Sequence, residues 1–239
     1  FTGTPLMKKE KSTANKFGGY IGKPYTVKDA VDDGAVVPLL YAGRHNLIKL
    51  NEDPINRYVE KVSEPLSNYG KASLKRTFNS INQLNKADQV IYARAWDISE
   101  HYTEFFQTNS DKYKPKAQLV APSVKSALLY KEYLDDIGKV SSEVIVTRTD
   151  QREGVEDGFH NTNDDKERED KYFAAMIDKF GDLDTFEKSV INQFKKREHP
   201  EILIVVMKLL TGFDAPNNTV LYLCRSLKEH TLLQAAARV

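Results

Sequence analysis

The sequence predicts an α/β fold, a parallel sheet flanked by helices, on three observations. The continuous apolar run Ile202-Leu203-Ile204-Val205-Val206 is too short for a free-standing helix and reads as a buried strand. A second run, Ala117-Gln118-Leu119-Val120-Ala121, is followed by a capped helical pattern and then by a strand from Glu143 to Val146. That β-α-β order implies a parallel pair with a right-handed crossover. Beyond Ile202 the chain reads strand, glycine turn, strand, helix, the order in which open sheets present ligand-binding groups at the carboxyl ends of their strands.

The elements follow in chain order. Thr2-Gly3-Thr4-Pro5 is a turn, and Lys8-Lys9-Glu10-Lys11 is a charged surface stretch. Phe17-Gly18-Gly19-Tyr20-Ile21 predicts a short strand or a bend. Thr26 is placed to cap a helix from Val27 to Asp33, with Gly34 as its stop. Val36 to Tyr41 reads as a strand that Pro38 confines to an edge. From Asp53 to Gln107 apolar residues recur at helical spacing: Ile55, Tyr58, Val59 and Val62, then Leu74, Phe78, Ile81 and Leu84, then Val90, Ala93, Ala95, Ile98, Tyr102 and Phe105. Trp96 is expected in the core of this stretch rather than stacked on a base. Asn109 to Lys116 is a polar hinge.

Pro122-Ser123 caps a helix whose apolar face carries Val124, Ala127, Leu128 and Leu134, and Gly138 ends it. Asp150 to Asp170 holds nine acidic residues against three basic ones and reads as a surface loop; its spacing matches no calcium loop. Helices are expected at Lys171 to Phe180 and Thr185 to Arg197. After the buried strand come a strand from Thr219 to Leu223 and a helix from Glu229 to Arg238, with Leu232, Leu233 and Ala236 on its apolar side.

Composition narrows the chemistry. The formal net charge of +1 means that any nucleic-acid track must be local. The single cysteine, Cys224, excludes an internal disulfide, fits a reducing compartment, and is expected to be buried and inert. No apolar stretch has the length of a membrane span. The five histidines show no metal-binding spacing, so no metal site is expected. Gly22-Lys23 imitates a phosphate-binding loop but fails it, with Phe17 where a glycine is required and Pro24 where Ser or Thr is required. Without that cradle or an acidic magnesium-binding tetrad, the segment alone is not expected to hydrolyse ATP.

Several phrases carry a resemblance. Thr211-Gly212-Phe213-Asp214-Ala215-Pro216 resembles motif V of superfamily-two helicases and translocases, and Gln234-Ala235-Ala236-Ala237-Arg238 resembles the start of their motif VI. Phe1-Thr2-Gly3-Thr4-Pro5-Leu6 resembles motif III. With Phe17-Gly18-Gly19-Tyr20-Ile21 and Asp33-Gly34-Ala35-Val36-Val37-Pro38-Leu39, these stand in the order found in the motor (R) subunit of type I restriction enzymes.

The resemblance implies a piece of a longer polypeptide: residues 1–50 as the end of a first RecA-like motor domain, 51–115 as a helical connector, and 116–239 as a second RecA-like domain cut within motif VI. It implies ATP and Mg2+ held mainly by the first motor domain, with Arg238 reaching the γ-phosphate as the catalytic residue of this half. Gly212, Asp214 and Gln234 would line the nucleotide side with Arg238. Ser123, in the place of motif IV, would grip duplex DNA with Thr147, Arg148 and Thr211. Thr2, Gly3 and Thr4 would couple nucleotide state to DNA grip. The implied partners are double-stranded DNA and the methylation and specificity subunits, in the cytoplasm of a bacterial or archaeal cell. A second motif VI arginine would fall beyond Val239. Two other readings stand beside this one: another superfamily-two helicase or remodeller motor, and a non-hydrolysing α/β module that responds to nucleotide.

Overall fold

The computed structural model describes residues 13–19, 22, 25–44, 88–107, 115–147, 163–196, 199–210, 212–227 and 229–236. Four strands, β1 (Lys116–Val120), β2 (Ser142–Ile145), β3 (Ile202–Val205) and β4 (Asn218–Leu223), form one parallel sheet in the order β2-β3-β1-β4. The described helices are α1 (Thr13–Phe17), α2 (Val27–Asp32), α3 (Asp88–Tyr102), α4 (Val124–Ile137), α5 (Asn163–Phe180), α6 (Leu183–Lys195) and α7 (Glu229–Ala236). A π turn, Thr103–Gln107, continues α3. The α/β class expected from the sequence is what the chain adopts.

Strand order follows from side-chain chemistry. Every residue of β1 and β3 is buried, and these two strands take the interior positions. β2 and β4 include residues that are not fully buried and take the edges. β1 and β2 are parallel, as their β-α-β spacing implies, but they are not neighbours: β3 lies between them.

The sheet is packed on both faces. On one, Ala117 and Leu119 of β1 and Ile202 and Ile204 of β3 meet Ile91, Ala95 and Ile98 of α3 and Ala127 and Leu134 of α4. On the other, Val120, Leu203 and Val205 meet Phe186, Val190 and Phe194 of α6, with Ala235 of α7. Alternation along the strands assigns neighbouring residues to opposite faces. α3 is held to this body by its last turn, where the Tyr102 hydroxyl donates to the Pro115 carbonyl at 2.6 Å.

Capping decides the helix bounds. Thr26 and Asp29 form a reciprocal capping box on α2. Ser123 caps α4, which stops at Gly138 in the left-handed region at φ 69. Asp182 caps α6.

Three expectations need correction. The acidic stretch is not a loop from residue 163 onward, because α5 begins there: Asp164 and Asp165 sit in its first turn, where carboxylates favour the helix dipole, and Glu167 pairs with Lys171 one turn later at 2.8 Å. Residues 36–41 are not a strand; they are exposed, without regular structure, and no neighbouring strand is present among the described residues. Phe17 ends α1, and Gly18 and Gly19, both at positive φ behind it, bend the chain, one of the two forms the sequence predicts there. Trp96 is not in the core: it is 46% exposed, with the Lys139 ammonium over its ring at 5.1 Å. The helical patterns at residues 53–87 and the loop at 148–162 lie outside the described residues.

One half-buried carboxyl yields a stability prediction. Burial raises the pKa of Glu143 on β2, and Lys131, the Val144 N–H and the Tyr172 hydroxyl only partly oppose that. A carboxyl whose folded pKa is raised is best tolerated below its unfolded pKa, and its contribution turns unfavourable as pH rises through the folded value. Glu143→Gln should therefore raise the melting temperature at pH 7 by about 2 °C. The gain should vanish below about pH 4, and scanning calorimetry across that range would measure it.

Candidate functional site

Because all four strands are parallel, their carboxyl ends share one end of the sheet, and the described segments after β1, β2, β3 and β4 leave from it. Past β1 comes Ala121-Pro122-Ser123, past β2 Val146-Thr147, and past β3 the loop from Val206 to Asn217. Ser123 Oγ accepts the Ser126 amide at 3.2 Å and lies 2.9 Å from the Ser126 hydroxyl, so it is engaged as a helix cap. Thr147 is exposed at the strand end.

The loop after β3 does not stay at that end. Its Leu209 is the non-glycine residue at positive φ (63°) among the described residues, and Gly212 follows at 70°. Leu210 is buried beneath it. Phe213 packs 6.1 Å from the Phe194 ring in the last turn of α6, under the Lys195 ammonium at 5.6 Å. Asn217 Nδ2 then donates to the Phe194 carbonyl at 2.6 Å, and its own carbonyl accepts the Lys116 amide at the start of β1. The loop thus descends across the α6 face toward the amino ends of the strands.

Ser123 and Thr147 are brought to one end with the start of this loop. Asp214, exposed and just past Phe213, lies further down it. Gln234 is half-buried on α7. Among the described side chains of that helix Ala235 is buried and Leu232 is 38% exposed, so Leu232 does not lie on its buried side as expected. Thr2, Gly3, Thr4, Arg148, Thr211 and Arg238 lie outside the described residues.

The sequence reading passed over Arg225, just past β4 at the same end. Its Nη1 lies 3.9 Å from Met207 Sδ, and no described carboxylate pairs with it. Lys208 of the neighbouring loop, by contrast, is paired with Glu187. An arginine two residues beyond a predicted strand end was the available signal. Cys224, beside it, is buried, and burial pushes its thiol pKa up, as expected for an inert cysteine.

Two other clusters of polar side chains lie away from this end. The groove between α4 and α5, about 570 Å³, is lined by Lys131, Glu132, Glu167, Arg168 and Lys171. Its cations are paired with carboxylates, Arg168 with Glu132 at 2.9 Å, Lys171 with Glu167 and Lys131 with Asp135, so none is left to attract an anionic ligand. At the opposite end of the sheet, Ser141 Oγ lies 2.8 Å from His199 Nδ1 and donates to Glu201 at 3.0 Å. It also accepts the Glu201 amide at 3.1 Å. Here the carboxylate engages the serine rather than the imidazole, so no base is oriented for nucleophilic attack. The cluster ties the turn before β2 to the turn before β3. Among the described residues no group of side chains could hold a metal ion, and no helix is long and apolar enough to cross a membrane.

The family model for type I restriction enzyme subunit R domain 3 matches residues 88–239, well over half of the chain and all of the sheet. The chain belongs to the type I restriction enzyme R subunit family. A SWI2/SNF2 ATPase model matches residues 1–72. A Methanocaldococcus jannaschii protein named for the MjaVIIIP type I restriction enzyme endonuclease subunit is 32% identical over all of this chain and 24% of its own length. The HindI type I restriction enzyme endonuclease subunit of Haemophilus influenzae is 26% identical over all of this chain and 21% of its own length. The chain thus spans about a quarter or less of the length of these R subunits. With the family known, the sheet described above is a RecA-like helicase domain, as the motif resemblance implied.

Proposed function

We propose that this chain supplies the second motor domain of an ATP-dependent double-stranded DNA translocase within a type I restriction complex. Cleft closure on ATP and its reopening after hydrolysis would alternate the grip on the phosphate backbone. The supporting observation is the convergence of Ser123, Thr147, the loop that starts at Val206, and Arg225 at one end of a parallel sheet. Hydroxyls, backbone amides and a guanidinium that no described carboxylate pairs suit sequence-independent contact with phosphates. Taken alone, the described residues do not fit a complete ATP site, since no glycine-rich cradle leads into a lysine among them. In this reading ATP and Mg2+ are held mainly by the first motor domain, to which residues 1–50 belong. The exposed residues Val37, Leu39 and Leu40 are then covered by that domain. Methylation and specificity subunits complete the assembly, in the cytoplasm.

The test is triplex displacement by the full R subunit in its complex, with Mg-ATP and linear duplex. Displacement without unwinding of the duplex supports the reading. Strand separation would favour a helicase, and absence of ATP turnover a nucleotide-responsive module. In the same protein, Arg225→Ala should weaken duplex binding equally on unrelated sequences. The slope of log K against log salt should become shallower by about one unit; fluorescence anisotropy at several salt concentrations measures both effects.

A further inference from the structure

Gln118 is the polar exception in an apolar layer. It sits mid-way along β1, an interior strand, and is fully buried. Alternation puts it on the face of Val120, and its register partner on β3 is Leu203, so its surroundings are the layer formed with Phe186, Phe194 and Leu210. Its Nε2 donates a long hydrogen bond, 3.5 Å, to the carbonyl of Leu209, while its Oε1 has no partner. Leu209 is the non-glycine residue held in the left-handed region among the described residues, where its Cβ crowds the following carbonyl oxygen. A strained residue persists only where its surroundings over-determine it. Here those surroundings are the buried Leu210, which pins the chain on one side, and the Gln118 amide, which meets the carbonyl on the other.

We propose that Gln118 is a positioning residue, which holds the turn at Leu209 and so sets where the Gly212 loop stands at the edge of the cleft. The proposal rests on the motor-domain reading above. The long Nε2 contact and the vacant Oε1 give the side chain capacity for a second loop position. A small shift of the loop would shorten the first bond and bring a loop amide to the free oxygen. The glutamine then biases two arrangements of the loop, one for each state of the cleft.

The experiment uses the full R subunit with Mg-ATP and duplex DNA. Gln118→Met keeps length and volume and removes both hydrogen-bonding groups. Met suits the apolar layer, so the melting temperature should hold or rise. Hydrogen exchange of the amides from Lys208 to Gly212 should speed up about tenfold, and the DNA-stimulated kcat should fall about tenfold with the KM for ATP unchanged, the effect of one lost hydrogen bond. Adding Leu209→Gly should restore most of the lost kcat, because glycine adopts the left-handed turn without being held there. Unchanged exchange, or faster exchange with full stimulated turnover, would overturn the proposal. So would a Gln118→Met, Leu209→Gly protein no better than Gln118→Met alone. If the wild-type subunit shows no DNA-stimulated turnover, the motor reading fails, and the exchange comparison still decides whether Gln118 holds the turn.

Discussion

Arg238→Ala in the full R subunit should lower ATP turnover by about 10³-fold, the lower end of what a transition-state arginine contributes. The expectation comes from motif VI: Arg238 follows Gln234 by four residues in the sequence, in the position from which the family is expected to reach the γ-phosphate. A guanidinium stays charged at all working pH values and meets two phosphate oxygens at once through its planar fork. Lysine retains charge but not the fork, so Arg238→Lys should recover little of the loss. Steady-state turnover at saturating duplex, with far-UV circular dichroism as the control for folding, measures the effect. Turnover within twofold of wild type in a folded Arg238→Ala protein would rule the assignment out.

Phe194→Ala should cost about 4 kcal/mol of stability, the middle of the range for removing a buried phenyl ring. Phe194 is fully buried at the end of α6, with Lys116 over its ring at 5.6 Å and Phe213 packed 6.1 Å away. Its carbonyl, which accepts from Asn217, is backbone and survives the change. The loss therefore falls on packing: a cavity opens between α6, β1 and the descending loop, and the ring that seats Phe213 is gone. Against the roughly 5–15 kcal/mol that holds ordinary domains together, such a loss leaves a marginal fold. Urea denaturation of the chain should show the midpoint falling with little change in slope. A loss under about 1 kcal/mol would mean that the loop collapses onto the vacated space.

The two central strands and the caps were legible because each is decided locally. The run Ile202 to Val205 has no polar side chain to give an edge, and Thr26, Ser123 and Gly138 act within one turn of their own position. What the sequence did not disclose depends on distant partners. β3 was placed correctly as a strand, yet its insertion between β1 and β2 is a matter of sheet order that local spacing does not encode. Residues 163–170 looked like a loop because charge was counted along the chain, whereas in a helix the same charges alternate with their partners one turn away. At the candidate site, the strand ends bearing Ser123 and Thr147 could be read from the order of elements. Arg225 stands at such a strand end too, but that no described carboxylate pairs with it shows only in the fold, and Gln118 is recognised by a contact 91 residues away along the chain.

Trp96 is the one tryptophan in the sequence, and it stands half in solvent under the Lys139 ammonium on the outer side of α3. Indole emission moves to shorter wavelength when water leaves the ring. Denaturing the chain should therefore change its intrinsic fluorescence little, since the ring is already wet in the folded state. A second body settling on α3 would instead dry it, so a blue shift on mixing would announce assembly at that helix without any label.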